Sequence, residues 1–440
     1  MHTRWNCVWH LTSGYFPVFF YIQSHPSMKK IFFTITCLFL FSLASKAQNP
    51  GCDGSRYKDD VFQGFTKTTV EYAPTVSHLG GDMTLSMDVY EPSGDQIAQR
   101  PVVILAHGGS FIFGDRTMMA RWCELLAKKG YVAATISYRL YPFLVLGFPD
   151  SLAIFDTAVK AVGDMRAAVR FFREDAATAN QFRADVDHIF IGGYSAGAVT
   201  ALHCAYLDLD NNIPAFLQTL IDNNGGLEGI SGTTSNKTFG STSKAVVNMS
   251  GGLYRSAWID EDESPLVSIH GTADGTVPYT YGLAANIAYL EGSSLLHIRA
   301  DNVNLWNSLV SVPGGDHTDI YDNASFQPFV DSFWVNATTM LEDITCSTSG
   351  TQEQVQWING WAVSPNPVTN GTITLQIPEA FENLSVKIVN AVGKLIYQQD
   401  NISDGSSIDV GQLVPGVYFV QVIQGSSSNV RFAPKKLIKS

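Results

Sequence analysis

Residues 188–207 read HIFIGGYSAGAVTALHCAYL, and this stretch decides the fold. Ile189, Phe190 and Ile191 form a short apolar run ending in glycine, the pattern of a strand buried on both faces. Ala196 to Leu207 follows without a breaker and reads as a helix. Between the two stands Gly193-Tyr194-Ser195-Ala196-Gly197. In a chain with 37 Gly, a bare G-x-S-x-G carries little weight. Its setting gives it meaning. A sharp strand–turn–helix junction holds the serine side chain exposed, and glycine on either side lets the backbone turn without a Cβ clash. The amino end of the helix also favours negative charge beside Ser195. A serine that merely caps a helix would share this local sequence, so the other elements have to decide.

Outward from the elbow, strand-like and helix-like segments alternate from about residue 62 to 345. Val102 to Ala106, Tyr131 to Tyr138, Lys244 to Met249, Pro265 to Ile269 and Ser308 to Val312 read as short strands. Met118 to Lys129, Met165 to Asn180 and Pro328 to Ile344 read as helices. This alternation implies an α/β fold, a mostly parallel sheet flanked by helices on both faces. Thr66 to Tyr72 and Met83 to Tyr90 alternate polar and apolar, as an antiparallel edge hairpin does. Two stretches fit neither class. Phe143 to Phe155 is apolar but irregular, and Asn211 to Ser243 is rich in Asn, Gly, Thr and Ser. Both fall between core elements, where they either roof a pocket or form ordinary surface loops.

Three further motifs end strands. Val102 to Ala106 runs into His107-Gly108-Gly109-Ser110-Phe111. Acyl transfer passes through an oxyanion, and backbone N–H groups aimed at it lower the barrier by about 2.7–4 kcal/mol each. The paired glycines allow that close approach, making Gly109 and Ala196 the candidate donors, with Ser110 as an alternative; a plain turn is the bland reading. Pro265 to Ile269 leads into His270-Gly271-Thr272-Ala273-Asp274, placing Asp274 at the carboxyl edge of the sheet, where it either orients an imidazole or closes a turn. Of the ten His, His317 in Gly314-Gly315-Asp316-His317 alone lies on a loop after a late strand, downstream of both partners. His270 precedes the acid and is set aside on that ground. Ser195, Asp274 and His317 are thus the candidate nucleophile, acid and base, with Asp316 and Asp319 as alternative acids.

Together these motifs (PVVILAHGGSF at 101–111, GYSAG at 193–197, HGTADGTVP at 270–278 and GGDH at 314–317) resemble the esterase/lipase branch of the α/β-hydrolase superfamily. Carboxylesterases and hormone-sensitive-lipase-like esterases with an HGG-type oxyanion loop are the nearest in pattern. The resemblance implies ester hydrolysis through an acyl-enzyme and without a cofactor, on acetyl or feruloyl esters of polysaccharide or on simple lipids, and since no long apolar lid helix is evident, short acyl groups are expected. Many such proteins carry a third glycine where this chain has Ser110, which leaves the second oxyanion donor open. Two rival functions are a peptidase on the same fold and a non-catalytic, hydrolase-like surface binding protein.

The rest of the chain bounds where this happens. Of 440 residues, 45% are hydrophobic and 15% charged, and the formal charge of −12 argues against nucleic acid as a partner. Met28-Lys29-Lys30, an apolar run from Ile31 to Ala44, and Ser45-Lys46-Ala47 read as a secretory signal at 28–47, with 1–27 as an extension ahead of the true start. No CxxC or HExxH spacing appears, so no metal is expected, and no later run is long enough to span a bilayer. Cys52 and Cys346 flank the expected catalytic domain, 48–346, and are the candidate disulfide; Cys123 and Cys204 fall in helices and read as small buried hydrophobes. After a polar linker, 347–361, the pattern over 362–440 is that of a small all-β sandwich. Ser364-Pro365-Asn366-Pro367, Gly393-Lys394, Gly416-Val417-Tyr418 and Lys435-Lys436-Leu437-Ile438-Lys439 resemble a type IX secretion C-terminal sorting domain. That resemblance implies the type IX secretion machinery as a partner, passage through the periplasm of a Gram-negative bacterium, and a secreted or outer-membrane-surface location. A carbohydrate-binding sandwich is the alternative.

Overall fold

Four strands are buried along their whole length: β3 (Arg100–Ala106), β4 (Val132–Ile136), β6 (Val246–Met249) and β8 (Leu266–Gly271). Strands apolar on both faces must be covered on both, and here they are. Val102, Ile104 and Ala106 of β3 face one hydrophobic cluster, while Val103 and Leu105 face another. The first cluster is closed by α3 (Ser151–Ala177), α4 (Ala196–Tyr206), α5 (Ala215–Asn223) and α6 (Ser293–Asn302). The second is closed by α1 (Ala120–Lys129) and α8 (Gln327–Cys346). Complete burial of each large aliphatic or aromatic side chain contributes roughly 1.5–3 kcal/mol, so these two layers hold the body together.

The structure, a computed structural model, describes residues 51–347 and, of 356–440, all but 359, 379–380, 382–383, 391–394, 425–429 and 433–434. The segment 1–27, the leader at 28–47 and the pair Gly393-Lys394 lie outside the described residues. The main sheet has eight strands in the order β1-β2-β4-β3-β5-β6-β8-β11, where β1 is Phe65–Val76, β2 Asp82–Pro92, β5 Ala184–Tyr194 and β11 Asn307–Val312. Only β1 and β2 run antiparallel to their neighbours; from β4 to β11 all pairings are parallel. The fold is an α/β-hydrolase sheet with an antiparallel edge hairpin.

Three segments depart from the sequence expectations. Helix α3 starts at Ser151, capped by the Asp150 side chain on Ala153 N–H at 2.8 Å, well before Met165. In its first turns Ile154, Phe155, Ala158 and Val159 share one helical face, which lines a pocket, while Leu152 faces solvent. The Asn- and Gly-rich stretch 211–243 contains α5, anchored by Leu217 and Ile221 one turn apart. A small second sheet, where no strand was expected, joins β7 (Gly252–Leu253), which precedes β8, to β9 (Tyr281–Ala284) and β10 (Ala288–Gly292), which fall between β8 and β11 in the chain. The β9–β10 hairpin turns Ala284, Ala288 and Leu290 toward the pocket and exposes Tyr281, Leu283 and Tyr289.

Cys52 and Cys346 are disulfide-bonded, with Cα atoms 5.5 Å apart. Cys123 and Cys204 are free and buried. The C-terminal region forms two sheets around its own core, which includes Trp361, Val386, Ile388 and Val420. Strand Gln356–Ile358 pairs with Val430–Phe432 of this region, and Trp361 is in its core. The sandwich therefore begins inside the stretch read from sequence as linker 347–361. No helix among the described residues is long and apolar enough to cross a membrane.

Candidate active site

Ser195 sits where β5 meets α4, with φ of +55°, a left-handed value that side chains resist. Such a residue costs about 1–3 kcal/mol and persists only where its surroundings enforce it. Here Ser195 N–H donates to Met249 O at 2.9 Å, and the helix packs so tightly on β3 that a Cβ at Gly197 would overlap the Ala106 carbonyl. The elbow thereby fixes the serine side chain at the carboxyl edge of the sheet.

The loop after β11 brings His317 to it. His317 Nε2 is 2.8 Å from Ser195 Oγ, and His317 Nδ1 is 2.7 Å from Asp274 Oδ2. A carboxylate only accepts, so Nδ1–H donates to Asp274 and Nε2 is left to accept from the serine hydroxyl. Asp274 Oδ1 accepts from the amides of Thr276 and Val277, each at 2.8 Å. Burial raises the Asp274 pKa, but hydrogen bonds from His270 and His317 outweigh it and hold the carboxyl well below its usual range. The Asp274 side chain is fully buried, Ser195 and His317 are 5% and 7% exposed, and Ser195 lines the pocket. The alternative acids stand apart: Asp316 accepts from the amides of Gly275 and His317, and Asp319 accepts from Asp316 N–H.

On the other side of Ser195, Ser110 and Phe111 have φ of +54° and +63°. Among the described residues the amides of Gly109, Ser110 and Ala196 have no protein acceptor. Ser110 and Ala196 line the pocket with Ser195. The loop is braced by Tyr138, which stacks on His107 at 4.4 Å and donates to His107 O at 2.7 Å. The pocket is otherwise apolar, walled by Ile154, Phe155, Val199, Leu217 and Leu290. Its one histidine, His203, is neutral: burial pushes its pKa down to about 4, and its two nitrogens are engaged by Val199 O and Tyr254 N.

Three residues near the site escaped the sequence reading. Tyr194 stacks on His317 at 5.2 Å and donates to its carbonyl at 3.3 Å; it is the variable position of the elbow motif, which carries no signal. Tyr138 ends a strand and looks like any core tyrosine. His270 lies 3.1 Å from Asp274 Oδ2, although its place in the chain order had set it aside.

Residues 87–286 match the BD-FAE family, and residues 362–440 match the secretion system C-terminal sorting domain. The α/β-hydrolase domain is thus similar to the BD-FAE family, and the C-terminal β region to the sorting domain. The BD-FAE segment contains Ser195, Asp274 and the loop of Gly109 and Ser110, while His317 lies beyond it. The chain is also similar to Esterase-5A of Drosophila persimilis, 30% identical over 125 residues that make up 28% of this chain and 21% of that protein. It is 33% identical to juvenile hormone esterase of Heliothis virescens over 102 residues, 23% of this chain and 17% of that one. The chain thus spans about a fifth of the length of the curated relatives it matches. Among solved structures, esterase 2 of Thermogutta terrifontis with butyrate bound has a TM-score of 0.45 and 18% identity, covering 67% of this chain and 100% of that one. A truncated carbohydrate esterase from gut microbiota has a TM-score of 0.45 and 18% identity, covering 65% and 98%.

Proposed function

We propose that the BD-FAE domain is a serine carboxylic-ester hydrolase working through an acyl-enzyme. One observation carries this reading: His317 bridges Ser195 Oγ and Asp274 Oδ2 at 2.8 and 2.7 Å, beside an apolar pocket. His317 Nε2 takes the Ser195 proton as Oγ attacks the ester carbonyl, and the negative charge moves onto the carbonyl oxygen. The amide of Ala196, with that of Gly109 or Ser110, holds this oxyanion. His317 then protonates the leaving alkoxide, and water repeats the sequence on the acyl-enzyme, restoring Ser195 and releasing the acid.

The pocket is the acyl seat, because its wall offers an acyl chain contact without demanding hydrogen bonds, and the polar alcohol stays outside. The proposed substrates are short-chain acyl esters, acetyl or feruloyl esters of polysaccharide among them. The sequence argument for short chains rested on the lack of an apolar covering helix. Leu217 and Ile221 of α5 now supply part of such a cover, which extends the proposed range to butyryl and hexanoyl groups. From the tail we infer export by the type IX machinery through the periplasm, to the outside of the cell or its outer surface.

The test is Ser195→Ala. It should abolish p-nitrophenyl acetate turnover and fluorophosphonate labelling while leaving the circular dichroism spectrum unchanged; full retained turnover overturns the reading. A wild-type protein inert to both probes favours the binding-protein alternative. A p-nitrophenyl ester series beside acetylated xylan then ranks the acyl groups.

A further inference from the structure

Behind Asp274 a second histidine reaches the same carboxylate oxygen. His270 is fully buried at the end of β8, with Nε2 3.1 Å from Asp274 Oδ2 and 3.0 Å from Val277 O. Both neighbours can only accept, so the proton of the neutral ring lies on Nε2. Nδ1 must then accept, and Ser293 Oγ stands 2.8 Å from it. Ser293 Oγ accepts in turn from Asn248 Nδ2 at 3.0 Å, and the same amide reaches Ser268 Oγ at 2.8 Å. Asn248 cannot flip, because its Oδ1 accepts from Gly251 N–H at 2.9 Å. The chain continues from Ser268 to His297 Nε2 at 2.7 Å, from His297 Nδ1 to Asn307 Oδ1 at 2.7 Å, and from Asn307 Nδ2 to Asp301 at 2.9 Å. Asn248, Ser268, His270, Ser293, His297 and Asn307 are all buried.

A polar chain of this length in a core is costly unless every member is satisfied, and here donation runs outward from Asn248 along two arms, one through Ser293 and His270 to Asp274 and the other through Ser268, His297 and Asn307 to Asp301. It ends on the group that orients the proposed base. We propose that His270 is a positioning residue for Asp274: its Nε2–H, aimed by Asn248 and Ser293, fixes the carboxylate at the angle that receives His317 Nδ1–H and takes up part of its charge. This rests on the esterase reading. Asp274 then has two amide donors on Oδ1 and, on Oδ2, the His317 donor and the His270 Nε2 3.1 Å away, the same nitrogen also bonding Val277 O at 3.0 Å; turning the carboxylate breaks one of these contacts. Losing His270 would free that rotation and leave more negative charge facing His317, favouring its protonated form. The other titratable groups facing the pair are Tyr194, Tyr321 and Asp316 toward Asp274, and Tyr279 and His297 toward His270.

The experiment compares His270→Leu, His270→Gln and Ser293→Ala in the full chain, using p-nitrophenyl acetate. His270→Leu, which removes the donor, should lower kcat roughly 10- to 100-fold with KM within about twofold, matching the loss of one hydrogen bond to a charged group. The acidic limb of its kcat/KM profile should move up by roughly half a pH unit or more. His270→Gln, which keeps a donor, should restore most of both. Ser293→Ala removes a single oxygen and should shift the limb the same way by less; it carries the test if His270→Leu does not fold. An unmoved limb in both His270→Leu and Ser293→Ala, or equal losses in Leu and Gln variants tracking lowered thermal stability, would overturn the proposal. Imidazole ¹⁵N shifts of the wild-type protein give a readout that needs no turnover. They should show His270 protonated on Nε2, and an Nδ1-protonated ring overturns the proposal independently of whether the esterase reading holds.

Discussion

Gly108 packs directly against Ser195: a Cβ on Gly108 would stand 3.1 Å from Ser195 Cβ and 2.8 Å from the Tyr194 ring. The backbone of the oxyanion loop therefore packs on the side chains of the elbow at this point. Gly108→Ala should push them apart by a few tenths of an ångström, enough to misalign the hydroxyl and the amides. The expected result is a fall in kcat of up to roughly 100-fold with a small change in melting temperature. Steady-state kinetics beside a thermal melt would check it, and an unchanged kcat would argue against this tight packing.

Asp274 and Asp316 are both close to His317, yet only one touches its ring. Asp274→Asn should lower kcat by roughly 10,000-fold, since an amide at this place favours the wrong imidazole tautomer. Asp316→Asn should stay within about tenfold of wild type, because its carboxylate is exposed and accepts only from backbone amides. A reversed ranking in p-nitrophenyl acetate kinetics would move the acid to residue 316.

The disulfide joins cysteines 294 residues apart in sequence. In the loop-entropy account, restricting so long a loop in the unfolded chain stabilises the fold by about 3–5 kcal/mol. The double variant Cys52→Ser/Cys346→Ser should melt roughly 10 °C lower while keeping its room-temperature turnover. Calorimetry with and without reductant would show the same loss in the wild-type protein.

Glu263 gives the fold an alkaline weakness. Burial pushes its pKa up to about 8, more than the hydrogen bond from Asp260 N–H brings it down, and the Asp208 and Asp260 carboxylates add to the rise. The folded state thus holds this proton more tightly than the unfolded chain, so the contribution is complete below about pH 4.5 and is lost as pH climbs to about 8. Glu263→Gln should raise the melting temperature at pH 9 and have little effect at pH 4.5. Equal shifts at both pH values would contradict this assignment.

What could be read from the amino-acid order follows from which residues had only one possible environment. Ile189 to Ile191 and Val102 to Ala106 had to be interior strands, and the loops leaving them carry Ser195 and Gly109 to the same edge of the sheet. The first half of α3 was hidden because exposed apolar residues, Leu144 to Leu146, Phe148 and Leu152, run directly into its pocket-facing stripe at 154, 155, 158 and 159 and blur where the helix begins. The β9–β10 hairpin was hidden because its inward residues are mostly alanine, with little strand preference. His270 was passed over because chain order says nothing about a contact made across a loop four residues long.

That hairpin has a consequence for selectivity. Its inner side presents Ala284, Ala288 and Leu290 to the cavity, and its outer side carries Tyr281, Leu283 and Tyr289 in solvent. On the proposed esterase reading the ribbon would act as a ruler, with the methyl groups at 284 and 288 limiting how far an acyl chain extends. Acyl length would then be graded by a segment that bears no reacting group, open to retuning while the chemistry at the elbow is left alone.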